Sequence, residues 1–192
     1  MKIVIVGCGR VGASLAELYD RAGHEVVVVD SVTSAFDRLP STFGGNAIRG
    51  DGTDEDVLRR AGAEGADVFL ALTEGDNRNV MAAQLANEAL GANRVIAKIN
   101  DPVRATAYAE LGIATLCRTG LMMDAVAGYL GLPKTDLPGM LAPTGHHPGG
   151  HHGDGLRTTT LPLPTSIGAD STAPSNASSA APASQPTATQ EV

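Results

Sequence analysis

Apolar positions in this chain come in short unbroken runs separated by longer stretches of helical spacing. Residues 3–6, Ile-Val-Ile-Val, are all β-branched, which predicts a strand buried on both faces. After a glycine-rich turn, Val11, Leu15 and Leu18 recur at three- and four-residue intervals and predict a helix with that stripe inward, stopped at Gly23. Residues 26–29, four valines, predict a second buried strand that ends in Asp30. A short helix is expected over residues 32–39, ended by Pro40, and a third strand over residues 46–49. Thr53 is the expected N-cap of the next helix, with Asp54, Glu55 and Asp56 in its first turn. Further strands are expected over residues 66–72, 94–99 and 114–117. Helices are expected over residues 77–90, 102–111, with Pro102 in the first turn, and 121–130, stopped by Gly131 and Pro133.

Strand and helix alternate throughout, which predicts an α/β fold with a parallel, doubly wound sheet in the strand order 3-2-1-4-5-6. The folded domain is expected over residues 1–133. Residues 134–192 are dominated by Pro, Ser, Thr, Ala and Gly and hold few large apolar side chains, so they are expected to form a disordered tail. Within it, His146, His147, His151 and His152 form a cluster, but no Cys or well-placed acid completes a metal site, and no metal ligand is assigned.

The residues between the first strand and the second carry the candidate chemistry. Gly7, Gly9 and Gly12 have the G-x-G-x-x-G spacing of a dinucleotide fold. Gly7 permits the tight turn, Gly9 lets a pyrophosphate approach the backbone, and Gly12 lets helix pack on strand. The N-terminus of that helix then faces the phosphates with free N–H groups and a positive dipole end. Asp30, at the tip of the second strand, is placed to accept hydrogen bonds from ribose hydroxyls and to repel a 2′-phosphate, which favours NAD(H) or another adenine nucleotide over NADP(H). Asp51 stands at the carboxyl end of a strand, where it serves either the ligand or its own turn. The candidate contacts are Gly7, Cys8, Gly9, Arg10, Val11, Gly12, Asp30, Ser31, Asp51, Gly52, Thr73 and Asn77.

Composition narrows the classes. The net charge of −7 argues against a grip on nucleic acid by phosphate neutralisation. No apolar run is long enough to span a bilayer, and the N-terminal run enters a glycine loop at once rather than forming a secretory signal, so the expected location is cytoplasmic. The two cysteines, Cys8 and Cys117, do not make a disulfide framework. Cys8 reads as a small residue filling the glycine turn.

Taken together, Gly-Cys-Gly-Arg-Val-Gly, Val-Val-Val-Val-Asp, Gly-Asp-Gly-Thr-Asp-Glu-Asp-Val-Leu, Leu-Thr-Glu-Gly-Asp-Asn-Arg-Asn and Val-Ile-Ala-Lys-Ile-Asn-Asp-Pro resemble the TrkA/KTN (RCK) nucleotide-binding domain family. The resemblance implies a Rossmann-type cytosolic regulatory subunit of a Trk/Ktr-type potassium transporter or channel. It implies binding of NAD(H) or ATP/ADP, assembly as a homo-oligomer (a dimer, in some members within a ring) or with a fuller TrkA-like partner, and attachment to the inner membrane through that partner. It further implies that Arg10 reaches ligand phosphates. A cation in the first turn opposes the helix dipole, which agrees with such a role. Lys98 stands where an Arg is common in the family, and the tail stands where many members carry a second ligand-sensing domain.

The alternatives are an NAD-dependent oxidoreductase and a nucleotide-binding module serving another partner. No His/Lys/Tyr set is spaced for proton transfer, so no enzyme is assigned. Truncation after Gly145 is expected to leave the thermal midpoint nearly unchanged, because the removed segment has little to bury; a scan of the two chains by circular dichroism measures it.

Overall fold

This computed structural model describes residues 1–142. Six parallel strands, β1 (Lys2–Val6), β2 (Glu25–Asp30), β3 (Asn46–Arg49), β4 (Val68–Ala71), β5 (Val95–Ile99) and β6 (Ala114–Cys117), stand in the order β3-β2-β1-β4-β5-β6. That is the expected order. A short seventh strand, β7 (Met140–Leu141), adds antiparallel to β6. Register pairs Ile3 with Val26 on one side and with Val68 on the other.

Helices lie on both faces. On one face, α1 (Arg10–Arg21) and a 3-10 turn (Thr33–Arg38) cover Ile3, Ile5, Val26, Val28 and Leu70. On the other, α2 (Glu55–Arg60) and α3 (Asp76–Gln84) cover Val4, Val6, Val27, Val29 and Phe69. Beyond these, α4 (Pro102–Glu110) packs with α3 over Ala97 and Ile99. The last helix is α5 (Arg118–Tyr129).

Several local expectations are corrected. The buried side of α1 is Gly12, Ala13 and Ala16, whereas Val11 and Leu18 are 55% and 59% exposed. Small residues win because α1 lies close against the sheet, and a Leu stripe would hold it away. The cap of α2 is Asp54, whose carboxylate accepts from Asp56 N and Val57 N, not Thr53. Thr53 donates to Asp51 instead. Helix α3 begins at Asp76, one residue earlier than expected, and continues into a π turn over Leu85–Ala89. Beyond residue 133, Thr135 donates through N and Oγ1 to Asp124 on α5, and β7 follows. The histidine cluster and the rest of the expected tail lie outside the described residues.

One buried amide ties the end of β4 to β5. Asn79 on α3 is fully buried. Its Oδ1 accepts from Thr73 N and Oγ1 at 2.8 and 2.7 Å, and its Nδ2 donates to Thr73 O and Lys98 O at 2.9 and 2.8 Å. It thereby extends the β4–β5 pairing past the last ladder bond and holds the end of β4 in place. Asn79→Ala strands several of these groups without partners, and is expected to cost about 3 kcal/mol or more on the scale of unsatisfied buried polar groups. Urea unfolding of the variant against the parent measures it.

Candidate nucleotide site

A cavity of about 470 Å³ opens at the carboxyl ends of β1, β2, β3 and β4. It lies at the point where the strand order reverses, the place where open α/β sheets bind ligands. The glycine loop forms its floor. Gly7 has φ +106°, a left-handed value that excludes most side chains, and a Cβ there would stand 2.9 Å from Leu72 C and Thr73 N. A Cβ on Gly12 would run into the carbonyl oxygen of Gly7. Both glycines are therefore demanded by packing of the loop between α1 and β4. Gly9 is different: a Cβ there would meet nothing within 4 Å, so its open side faces the cavity. Gly9 is also the N-cap of α1, and no side chain caps that terminus. The first-turn N–H groups therefore point where an anion fits.

Of the expected contacts, Gly7, Cys8, Gly9, Arg10, Asp30, Ser31, Asp51, Gly52 and Thr73 all line this cavity. Val11, Gly12 and Asn77 do not. Val11 is exposed on the outer side of α1, and Gly12 serves the packing beneath the loop. Asn77 turns toward α4, where its Oδ1 accepts from Arg104 Nη2. The next residue along the helix, Arg78, lines the cavity instead, since consecutive helical side chains point about 100° apart.

Asp30 does more than wait for a ribose. Its Oδ2 accepts from Cys8 N at 2.7 Å and its Oδ1 from Val32 N at 2.9 Å. It thus pins the glycine loop to the turn after β2. A carboxylate has about four lone-pair directions, so capacity remains for ribose hydroxyls. The Cys8 amide is consumed by this bond. The Cys8 thiol is buried, and its pKa is raised, first by burial and then by the Asp30 charge, so it stays protonated at neutral pH. Asp51 accepts from Thr53 N at 3.0 Å and Thr53 Oγ1 at 2.8 Å, and these bonds hold its carboxyl below the ordinary range. The Thr73 hydroxyl is spent on Asn79.

Sequence reasoning missed Ser34, Arg38, Glu74 and Arg78, which also line the cavity. Arg38 arrives from the end of the 3-10 turn, and no spacing rule marks it. Arg78 is the neighbour of the candidate Asn77, and only the phase of α3 separates the two. Among the described residues no group of His, Cys, Asp and Glu is arranged to hold a metal ion.

Comparison with known proteins agrees with this architecture. The TrkA-N domain family matches residues 3–119, and the chain belongs to that family. The Trk system potassium uptake protein TrkA of Streptomyces coelicolor is 45% identical over 145 residues, which cover 76% of this chain and 65% of that protein. The chain thus spans less than two thirds of that relative's length. Among solved structures, the carboxyl-terminal domain of Kef from Shewanella denitrificans, in its AMP-bound form, superposes with a TM-score of 0.54 at 21% identity, covering 69% of this chain and 83% of that one. The GsuK channel bound to NAD superposes with a TM-score of 0.55 at 20% identity, covering 66% of this chain and 23% of that one. At these identities the likeness is one of fold.

Because Asp30 holds the loop as well as facing the cavity, Asp30→Ala is expected to lower stability by about 1–3 kcal/mol in the absence of any nucleotide, as charge-assisted bonds to backbone N–H are lost. Denaturant unfolding of the ligand-free variant measures this, and an unchanged midpoint would show the clasp to be energetically idle.

Proposed function

We propose that this TrkA-N chain is the nucleotide-sensing part of a cytosolic regulator of a Trk/Ktr-type potassium transporter or channel, gating it by binding NAD(H) or ATP/ADP rather than by catalysis. The observation that carries this reading is the cavity at the switch point. The uncapped N-terminus of α1, the open side of Gly9, Arg10 and Asp30 converge there in the order that phosphates and a ribose require. These residues fit the adenosine and phosphate half of such a ligand: α1 and Arg10 the phosphates, Asp30 the ribose. The name of the Streptomyces coelicolor relative supports the potassium system as the setting. The NAD-bound GsuK channel and the AMP-bound Kef domain support adenine nucleotides as the ligand class.

Catalysis is poorly supported by the same cavity. Its lining includes no His, Lys or Tyr, and its cysteine is buried and protonated. A hydride-transfer enzyme commonly uses such a group to move a proton at the substrate.

Assembly with a second copy, or with a fuller relative carrying the same domain, is part of this reading. Helix α5 exposes Met122, Met123, Val126 and Tyr129, and a nearly wholly apolar groove of about 590 Å³ runs between it and Leu132–Pro133. Adaptable methionines on an open helix face suit a protein partner. No helix among the described residues is long and apolar enough to cross a membrane, so in this reading the membrane is reached through the transporter.

A gating domain must have two shapes whose balance the ligands shift, since equal affinity for both shifts nothing. Small-angle scattering of the full chain with each of NAD⁺, NADH, ATP and ADP is expected to give at least two distinct assembly shapes. Arg10→Ala is expected to weaken every phosphorylated ligand and to abolish the difference in shape. One shape with all ligands would refute gating by this chain.

A further inference from the structure

The cavity carries three arginines from three elements: Arg10 from α1, Arg38 from the 3-10 turn and Arg78 from α3. It also carries the carboxylates of Asp30, Asp51 and Glu74. Such a set would ordinarily pair off, and here it does not. Asp30 is held by two backbone N–H groups and Asp51 by Thr53, while Glu74, 86% exposed, approaches Lys98 Nζ at 3.5 Å. The ion pairs among the described residues involve Arg21, Arg59, Lys98 and Arg104, and none involves the cavity arginines. Cations on a cavity wall that are not closed into an ion pair can turn to an anionic ligand.

Their positions along the sheet edge differ. The strand order runs β3-β2-β1-β4. Asp30 at the tip of β2 marks the ribose, and the glycine loop after β1 marks the first phosphates. Arg38 lies on the β2 side, with its Nη1 donating to Ala35 O at 3.3 Å. The next position in the same direction is the end of β4, where Thr73, Glu74 and the first turn of α3 bring Arg78 to the cavity. Beyond its phosphates a dinucleotide places a second ribose there, followed by a ring that is cationic when oxidised. A nucleoside triphosphate places a terminal phosphate there, with close to two negative charges, about −1.5 to −2 by analogy with other phosphomonoesters. Arg78 is exposed and can swing without unpacking anything. Lys98, buried with only 8% of its side chain exposed, balances Glu74 at that end of the cavity. The Arg78 charge also adds to the Thr53 bonds in keeping the Asp51 carboxyl ionised.

We propose that Arg78 is a specificity-determining residue whose guanidinium takes the terminal phosphate of a nucleoside triphosphate, giving this cavity a preference for ATP over AMP and over NAD⁺. This rests on the reading of the cavity as a nucleotide site and names the ligand it favours. Arg10 anchors the phosphates common to all these ligands. Arg78 separates them by what lies beyond the first two phosphates.

Titration calorimetry of the full chain with AMP, ADP, ATP and NAD⁺ tests it, on the parent, Arg78→Gln, Arg78→Lys and Arg94→Gln. Arg94 precedes β5 at the amino end of the sheet, so its variant removes the same charge far from the cavity. The parent is expected to bind ATP more tightly than AMP or NAD⁺. Arg78→Gln is expected to weaken ATP about tenfold or more, the scale of a lost charged hydrogen bond, while AMP is held as before. Arg78→Lys should retain part of the preference, since it keeps the charge and loses the planar fork. Arg94→Gln should leave all four affinities as in the parent, and circular dichroism checks that every variant is folded. An ATP preference that survives in Arg78→Gln, an equal loss for AMP and ATP, an equal loss in Arg94→Gln, or a parent that prefers NAD⁺ would each overturn the proposal while leaving the nucleotide site standing. Failure of the parent to bind any of the four would overturn the site and this proposal together.

Discussion

Asp30 closes the floor of the cavity with its own carboxylate. One oxygen holds the Cys8 amide and the other the Val32 amide, so the loop after β1 and the turn after β2 are fixed against each other. Two strands that are parallel neighbours cannot be joined by a short hairpin, and their ends would otherwise be independent loops. The same bond leaves the next amides, those of the first turn of α1, pointing into the cavity. The arrangement works only because Gly7 takes a left-handed conformation and Gly12 lets α1 lie directly on the loop. Loop, helix terminus and acid are one mechanical unit.

A second clasp holds the opposite wall. Asn79 saturates Thr73 on both its amide and its carbonyl and reaches across to Lys98. Buried amide networks of this kind are costly when broken and specify one geometry when complete. Thr73 therefore lines the cavity through its position rather than through a free hydroxyl. The wall beside it, Glu74 and Arg78, stays exposed on a rigid base. This wall adjoins the β4–β5 junction that Asn79 closes.

The electrostatic pattern follows from these clasps. Each cavity carboxylate meets backbone, hydroxyl or lysine, and among the described residues no ion pair involves Arg10, Arg38 or Arg78. In a chain of net charge −7, the cavity gathers three arginines beside its three carboxylates. Burial keeps Cys8 out of this chemistry: its side chain belongs to the buried cluster that includes Ala13 and Ala16, and its thiol stays neutral.

Much of the fold was legible in the residues because the signals are local. A four-valine run can be buried only on both faces, alternation of such runs with helices permits few topologies, and G-x-G-x-x-G between strand and helix leaves one geometry for the loop. Hence the strand order, the glycine floor and the place of Asp30 could all be read from the sequence. What could not be read depends on packing distance and helix phase. Gly12, by drawing α1 onto the sheet, decided that Ala13 and Ala16 rather than Val11 and Leu18 face inward. The phase of α3 against the sheet decided that Arg78 and not Asn77 meets the cavity, since one residue is about 100° of helix rotation. The second duty of Asp30 and the pairing of Asn79 with Lys98 join residues distant in sequence. Composition and periodicity carry no record of such partners, so only the folded chain, by bringing strand ends together, determines them.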